Sequence, residues 1–202
     1  MKDKKNVYEY YNNQGWKSSS EGGSILLDED INVNKNDSCI IYNTKTRNRV
    51  LEQLNKLSGK KNKLLDVASG AIHLPEYIEY SRAFQQRHCV DFSSNALDQA
   101  KINLTSSGQN ESFLYNLDFL ESSFESNYFD AAISLHTLYH VDIVKQHDFV
   151  EKLIKYVRSD GVVIIVYSNP LSIQQIITYP MFLWQKSKLS IEVTLHPAAL
   201  NN

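Results

Sequence analysis

The sequence has little of what would indicate anything other than an ordinary folded domain. Among 202 residues only seven are glycine and four are proline, too few for a fibrous, collagen-like or low-complexity chain. The two cysteines, Cys39 and Cys89, are far apart and form no Cys-x-x-Cys or Cys/His pattern, so neither a disulfide framework nor a zinc site is indicated. We therefore expect a reducing, cytoplasmic setting.

Leader and membrane signals are also missing. The first residues are basic, but no apolar core or small-residue cleavage site follows them, as a secretory signal would require. The longest apolar runs lie at 162–166 and 181–184, far short of the roughly 20 residues that span a bilayer. We expect no integral membrane association.

The charge distribution gives no support for a nucleic-acid partner. The formal net charge is -2, with +4 on residues 1–63 and -6 on residues 64–202. A mildly basic front is usually a solvated surface, and no Arg/Lys cluster is interleaved with aromatic residues. We expect the chain not to bind nucleic acid.

From residue 43 onward, helix and strand patterns alternate along the chain. The run at 162–167 is apolar on both faces, which is typical of a parallel sheet covered by helices. This alternation predicts an α/β, doubly wound, mostly parallel sheet with helices on both faces. The predicted strands cover 63–67, 88–92, 112–117, 129–135 and 162–167, and the helices 43–59, 75–84, a segment after 93–95, and 144–157.

We divide the chain into an N-terminal arm or lid at 1–42 and a single domain at 43–202, with its core at 60–170. The arm is polar and has a Ser/Gly-rich centre. After the core, residues 171–184 have the pattern of an apolar helix interrupted at Pro180, and 189–195 predict one more strand.

Acidic residues follow several of the predicted strands, where ligands bind in a doubly wound sheet. Asp66 begins a turn of small residues in which only Gly70 is a glycine, so the three-glycine dinucleotide fingerprint is absent. Asp91 lies 21 residues after Gly70, near the offset of roughly 20 at which an acidic residue accepts ribose hydroxyls. Asp118 follows the third strand and could accept from an exocyclic amine. These residues predict a pocket that binds a nucleoside and has no phosphate-binding site.

Five segments in this order resemble the successive motifs of class I S-adenosylmethionine-dependent methyltransferases. The resemblance covers about residues 60–170, and the front at 10–16 resembles the arm that closes over the cofactor in some small-molecule members. The segments are LLDVASG at 64–70, CVDFS at 89–93 with ALDQAK at 96–101, NLDF at 116–119, YFDAAIS at 128–134 and HTLYHV at 136–141.

The resemblance implies a Rossmann-like fold, S-adenosylmethionine as cofactor and a set of site residues. Asp66 and the turn of Ala68, Ser69 and Gly70 would face the methionine part. Asp91 would take the ribose hydroxyls, and Asp118, with Phe119 beside it, would hold the adenine. Phe92, Ser93 and Leu135 are further cofactor-binding candidates. His136, Tyr139 and His140 would line the acceptor pocket as catalytic residues, and Tyr11 and Trp16 would belong to the substrate-facing lid.

Simpler interpretations of several residues stay open at this point. Asp66 could brace the turn, and Asp91 to Ser94 could be only a helix start, where Asp and Ser are favoured. His136 and His140 have a spacing that can hold a metal on a helix, but no third ligand is evident and we predict no metal site. In the acceptor pocket, a neutral histidine would take a proton from a hydroxyl or amine, although one of the two could instead pack against the sheet.

We arrive at one leading hypothesis and two others. The first is methyl transfer to a small-molecule acceptor. The second is a non-catalytic or degenerate cofactor-binding module, because the turn has a lone glycine and family members usually add two strands after the fifth, whereas one is predicted here. On that ground we expect the last edge of the sheet to be incomplete and the fold C-terminally shortened. The third is docking of 171–184 on a membrane or partner.

Overall fold

The protein is described by a computed structural model that covers residues 9–10, 16–18, 25–27, 37–59, 61–108, 111–168 and 191–197. Within these ranges, strands and helices alternate along most of the chain. The strands are β1 (Trp16–Ser18), β2 (Ile25–Leu27), β3 (Lys63–Val67), β4 (Gln86–Asp91), β5 (Glu111–Asn116), β6 (Phe129–Leu135), β7 (Val157–Ser168) and β8 (Ile191–Pro197). The helices are α1 (Asp37–Lys56), α2 (Pro75–Glu79), α3 (Ser94–Ser106) and α4 (Gln146–Tyr156).

Six of the strands form one sheet in the order β5-β4-β3-β6-β7-β8. The first five are mutually parallel, and β8 pairs antiparallel with β7 at the edge. The predicted α/β doubly wound, mostly parallel sheet is thereby confirmed. β3 and β6 have the bounds that their patterns predicted. β8 overlaps its predicted range but begins and ends two residues later.

Apolar side chains cover both faces of the sheet. On one face, residues of β3, β6 and β7 pack against Phe119 and against Phe149 and Leu153 of α4. On the other face, alternate residues of the same strands pack against Val50 and Leu54 of α1. Successive residues along each strand supply the two layers in turn, which explains why the central strands have apolar residues on both faces.

Three helix boundaries differ from prediction. α1 begins at Asp37, inside the segment predicted to be arm. α2 begins with Pro75 but ends at Glu79, five residues before the predicted end. At the start of the helix predicted for 144–157, Ile143–Lys145 forms a short 3-10 turn before α4 begins.

β7 begins at Val157, five residues before its predicted start, because tertiary contacts extend it. The pairing with β6 shifts register between Phe129 and Ala131, and Gly161 lies in the extra segment. A Cβ at Gly161 would lie 2.4 Å from Val157 Cγ1 and 2.5 Å from the Asp130 carbonyl oxygen. Glycine is therefore required at this position for packing.

The apolar segment 171–184, for which a helix and docking on a membrane or partner were predicted, lies outside the described residues. Among the helices that are described, none is both long and apolar enough to cross a membrane.

Candidate functional site

The strand order places the candidate site beside β3 and β6. The chain runs outward from β3 to β4 and β5 and then returns to β6 on the other side of β3. Ligands of doubly wound sheets bind at the carboxyl ends of the strands where the order reverses in this way. The segments that follow β3, β4, β5 and β6 therefore form the edge at which a ligand would bind.

The turn after β3 has an unusual backbone. Ala68, Gly70 and Ile72 all have positive φ, at 56°, 59° and 49°. Only glycine adopts this left-handed region freely, and each other residue there costs about 1–2 kcal/mol. In a turn whose one glycine is Gly70, the backbone therefore places the constraint on Ala68 and Ile72.

Burial helps to hold this turn in place. The Ile72 side chain is 1% exposed and packs with Cys89 of β4 and with Leu97 and Leu104 of α3. Full burial of an isoleucine side chain contributes about 1.5–3 kcal/mol, which is enough to offset the backbone cost at that residue. The turn is therefore anchored in the core on one side and leaves its backbone at the ligand edge on the other.

Asp91, at the end of β4, is held by backbone donors from two elements. Its Oδ2 accepts from the Gly70 amide at 2.9 Å and its Oδ1 from the Ser93 amide at 2.8 Å. The residue is 8% exposed, and burial raises the pKa of its carboxyl to about 6, against the lowering effect of these amides. Each carboxylate oxygen has a further lone pair that can accept another hydrogen bond.

Asp66 is held differently, because its carboxylate pairs with a buried arginine. Two nitrogens of Arg87, Nε at 3.1 Å and Nη2, donate to Asp66 Oδ2. The remaining Arg87 nitrogen donates to the Tyr77 carbonyl oxygen at 2.5 Å and to Ser81 Oγ at 2.6 Å. Asp66 thus braces β3 against β4 and the α2 region, and its Oδ2 is occupied by protein donors.

The residues that follow β4 and β5 differ in burial. Phe92 is half-buried, while Ser93 is fully buried and its Oγ caps α3 by accepting from the Ala96 amide at 3.3 Å. Asp118 is half-buried and its Oδ1 accepts from the Leu120 amide at 3.0 Å.

Phe119 was predicted to lie beside Asp118 at the adenine, and the structure places its ring in the core. It is 4% exposed and lies 4.9 Å from the Phe149 ring and 6.1 Å from the Tyr156 ring, centroid to centroid. With three aromatic rings packed edge to face, the Phe119 ring is held in the core. The adenine contact implied for this residue stays a prediction.

The segment after β6 carries the predicted acceptor residues. His136 has a positive φ of 58°, and its amide donates to the Val166 carbonyl oxygen at 2.7 Å. Leu138–His140 then forms one 3-10 turn, so the i, i+4 helical face on which His136 and His140 would share a metal is absent here. The Tyr139 and His140 rings lie 4.3 Å apart, with Tyr139 exposed.

Leu135 precedes this acceptor segment, and Gln146 binds it. Leu135 is half-buried and packs against the α1 side of the sheet. Gln146 Nε2 donates to the carbonyl oxygens of Leu138 at 3.0 Å and Val141 at 3.2 Å. Gln146 was not predicted, because a glutamine that binds backbone groups leaves no pattern in the sequence.

The lid residues are only partly covered by the structure. Tyr11 lies outside the described residues. Trp16 lies in β1, whose backbone pairs antiparallel with β2 so that Trp16 is opposite Leu27.

Several features of this edge fit the adenosine and methionine groups of the expected cofactor. Asp91 offers carboxylate lone pairs to hydroxyl donors, and the turn at 68–72 presents backbone without long side chains. Ser134 of β6, opposite Val67, is completely buried, and its Oγ has no hydrogen-bond partner among the described residues. A buried hydroxyl without a partner is costly unless a ligand or water satisfies it.

Comparison with known proteins points in the same direction as the geometry. The sequence profile of a family described as "Methyltransferase domain" matches residues 65–165. No curated protein sequence matches the chain.

Solved structures share the fold at low sequence identity. The YcgJ protein of Bacillus subtilis is 16% identical over 62% of this chain and 51% of its own, with a TM-score of 0.53. An S-adenosylmethionine-dependent methyltransferase of Clostridium acetobutylicum is 19% identical over 64% and 52%, at 0.54. The N-methyltransferase NodS of Bradyrhizobium japonicum is 15% identical over 66% and 72%, at 0.55. The chain thus spans about half the length of the first two.

Proposed function

Because the chain belongs to the methyltransferase-domain family, we propose that it binds S-adenosylmethionine and transfers the methyl group to a small-molecule acceptor. The observation that carries the proposal is the pairing of the Gly70 amide with Asp91 at the reversal of strand order. This pairing brings the backbone turn and the carboxylate to one edge, as a nucleoside ligand requires.

Different residues at this edge would bind different parts of the cofactor. The Asp91 carboxylate would accept from the ribose hydroxyls, and the half-buried Phe92 ring beside it would stack on the adenine. Asp118 would accept from the exocyclic amine. The turn from Ala68 to Gly70, with Asp66 and Ser69 beside it, would face the methionine part together with Leu135.

When bound, the sulfonium supplies an electrophilic methyl group, so this chain's residues need only orient the acceptor, exclude water and receive a proton. His136, Tyr139 and His140 lie at the end of β6, next to the turn after β3. A neutral His140 ring would take the proton that a hydroxyl or amine acceptor loses on methylation. Tyr139, which touches that ring, would line the same pocket.

A second candidate function is cofactor binding without transfer, in a degenerate module. The observation that favours it is the turn itself, in which two of the three left-handed residues are not glycine. If the Ala68 methyl group obstructs the sulfonium, binding would persist while the methyl group is held away from an acceptor.

Calorimetric titration of S-adenosylmethionine into the purified protein tests the proposal, and no binding at millimolar ligand would refute it. A screen of metabolite pools for cofactor-dependent mass gain then separates the two candidates. We expect His140→Ala to keep cofactor affinity and lose methyl transfer. His147→Ala, at an exposed histidine of α4, is the matched control and should retain both.

Our expectations about partners and setting accompany this proposal. We propose a small-molecule acceptor, no nucleic-acid partner and a cytoplasmic location, based on the charge distribution and the two cysteines.

Cys89 is a buried free thiol, and burial raises its pKa to about 12, so this residue is protonated and supplies no nucleophile.

A further inference from the structure

The turn of residues 68–72 requires support from outside, because its composition does not match its backbone. Ala68, Gly70 and Ile72 are left-handed, and only Gly70 adopts that conformation without steric conflict between Cβ and the backbone. A chain of this composition would favour extended or right-handed backbone in isolation. Some group must therefore bind the turn in its folded shape.

Asn103 of α3 binds the turn directly. Its Nδ2 donates to the Ala71 carbonyl oxygen at 2.9 Å and lies 3.4 Å from the Ile72 carbonyl oxygen. These two carbonyl groups flank the left-handed Ile72 residue, so their direction is set by its φ and ψ. A change of Ile72 to right-handed backbone would remove both acceptors from the amide.

The orientation of the Asn103 amide is itself fixed. Its Oδ1 accepts from Gln99 Nε2 at 3.0 Å, one turn earlier on the same helix, and Gln99 is buried. With the oxygen engaged by Gln99, the NH2 group faces the turn. Gln99 and Asn103 thus form a chain of two hydrogen bonds from α3 to the turn.

The same helix also holds the side chain at this position. Ile72 packs in one cluster with Leu97, Ala100 and Leu104 of α3. Because α3 binds both the side chain and the adjoining carbonyl groups, it constrains Ile72 at two points. The Gly70 amide, two residues earlier, is then directed at Asp91.

We propose that Asn103 is a positioning residue for cofactor binding. By binding the carbonyl groups of Ala71 and Ile72, it holds the turn in the left-handed backbone that glycines would supply in its place. The inference rests on the proposed function, since the turn is the part of the site assigned to the cofactor. Asn103 itself need not touch the ligand.

The first test measures the turn in the ligand-free protein by amide hydrogen exchange. Asn103→Leu removes the donors at similar side-chain volume, and we expect exchange of the Gly70 amide to accelerate about tenfold, the loss expected for about one hydrogen bond. Amides of Ala132 and Ile133 in β6 report global unfolding and should change less than about twofold. Unchanged Gly70 exchange, or equal acceleration at all three amides, would overturn the inference.

Two further variants complete this design. Asn103→Asp keeps the shape but replaces the donor with an oxygen that repels the two carbonyl groups, so it should accelerate Gly70 exchange at least as much. It also serves if the leucine variant does not fold. Lys101→Ala, at an exposed position of the same helix, is the matched control and should match the parent protein.

The second test titrates S-adenosylmethionine into the same proteins by calorimetry. We expect both Asn103 variants to raise the Kd about tenfold, while Lys101→Ala leaves it unchanged. Equal Kd values for all proteins would overturn the role in cofactor positioning. If the parent protein itself binds no S-adenosylmethionine, the proposed function is wrong, and the exchange data alone decide whether Asn103 sets the turn.

Discussion

The backbone amide of Gly70 donates a 2.9 Å hydrogen bond to Oδ2 of Asp91, which lies 21 residues further along the chain. This bond joins the turn after β3 to the end of β4. Because the Ser93 amide binds the other carboxylate oxygen, the Asp91 carboxylate is oriented before any ligand arrives. Such preorganisation lowers the entropy cost of binding.

Asp91→Asn tests the ribose contact. The substitution removes the charge and one acceptor oxygen, and hydrogen bonds to charged groups contribute about 1.5–3 kcal/mol. We expect affinity for S-adenosylmethionine to fall at least about tenfold, measured by calorimetry. Asp98→Asn, at an exposed position of α3, is the control, and equal losses in the two variants would contradict the assignment.

Cofactor affinity should depend on pH through the same carboxyl. Burial raises the Asp91 pKa to about 6 from 3.8, and only the ionised form offers both oxygens to hydroxyl donors. We expect affinity to fall progressively as pH decreases below about 6, and this dependence to be absent in Asp91→Asn. A flat affinity between pH 5 and pH 7.5 would refute this role.

The same pKa also makes a prediction about folding in the absence of ligand. Because the folded pKa is the higher one, the native state binds more protons between about pH 4 and 6, so the contribution of Asp91 to stability is present below pH 4 and lost as pH rises through 6. A shift from 3.8 to about 6 corresponds to roughly 3 kcal/mol. The unfolding free energy of Asp91→Asn, followed by urea titration, should lack this decrease.

Ala68→Gly should stabilise the turn. Ala68 has a φ of 56°, and removing Cβ relieves about 1–2 kcal/mol of left-handed strain, less the greater freedom that glycine gives the unfolded chain. We expect a net gain of about 0.5–1 kcal/mol in thermal unfolding and an equal or lower Kd for S-adenosylmethionine. Destabilisation would mean that the Ala68 methyl group makes contacts worth more than the strain.

Arg87→Met tests the ion pair beneath the turn. Arg87 is fully buried and binds Asp66, Tyr77 and Ser81, and removing one partner of a buried pair costs about 3–5 kcal/mol. Adding Asp66→Asn to the same chain should recover part of this loss. Arg82→Met, which breaks an exposed pair with Glu79, should cost less than about 1 kcal/mol, and an equal loss at Arg87 would contradict the structural role.

The central part of the fold could be predicted because its information is local. β3 and β6 are short and mostly apolar segments, and their bounds match the prediction. The start of β7 could not be predicted, because it depends on a register shift against β6 and on the space around Gly161. Those contacts join residues about thirty positions apart, which no local pattern records.

The candidate site divides in the same way. Asp91 stands out in the sequence because its spacing from the turn follows from strand and helix lengths. The sequence could not place the Phe119 ring, because an aromatic residue next to Asp118 looks the same whether its ring faces a ligand or the core. Asn103 and Gln146 left no signal, because side chains that bind backbone carbonyl groups need only reach and orientation.

By itself the sequence determined the alternation of elements, the sheet type and the order of the family's motifs, since apolar periodicity and turn chemistry act over short distances. Tertiary structure alone decided that three alternate residues of the turn are left-handed, that Arg87 engages Asp66, and that α3 supports the turn from behind. These outcomes depend on which side chains meet after the sheet has formed, so they emerge only from long-range packing.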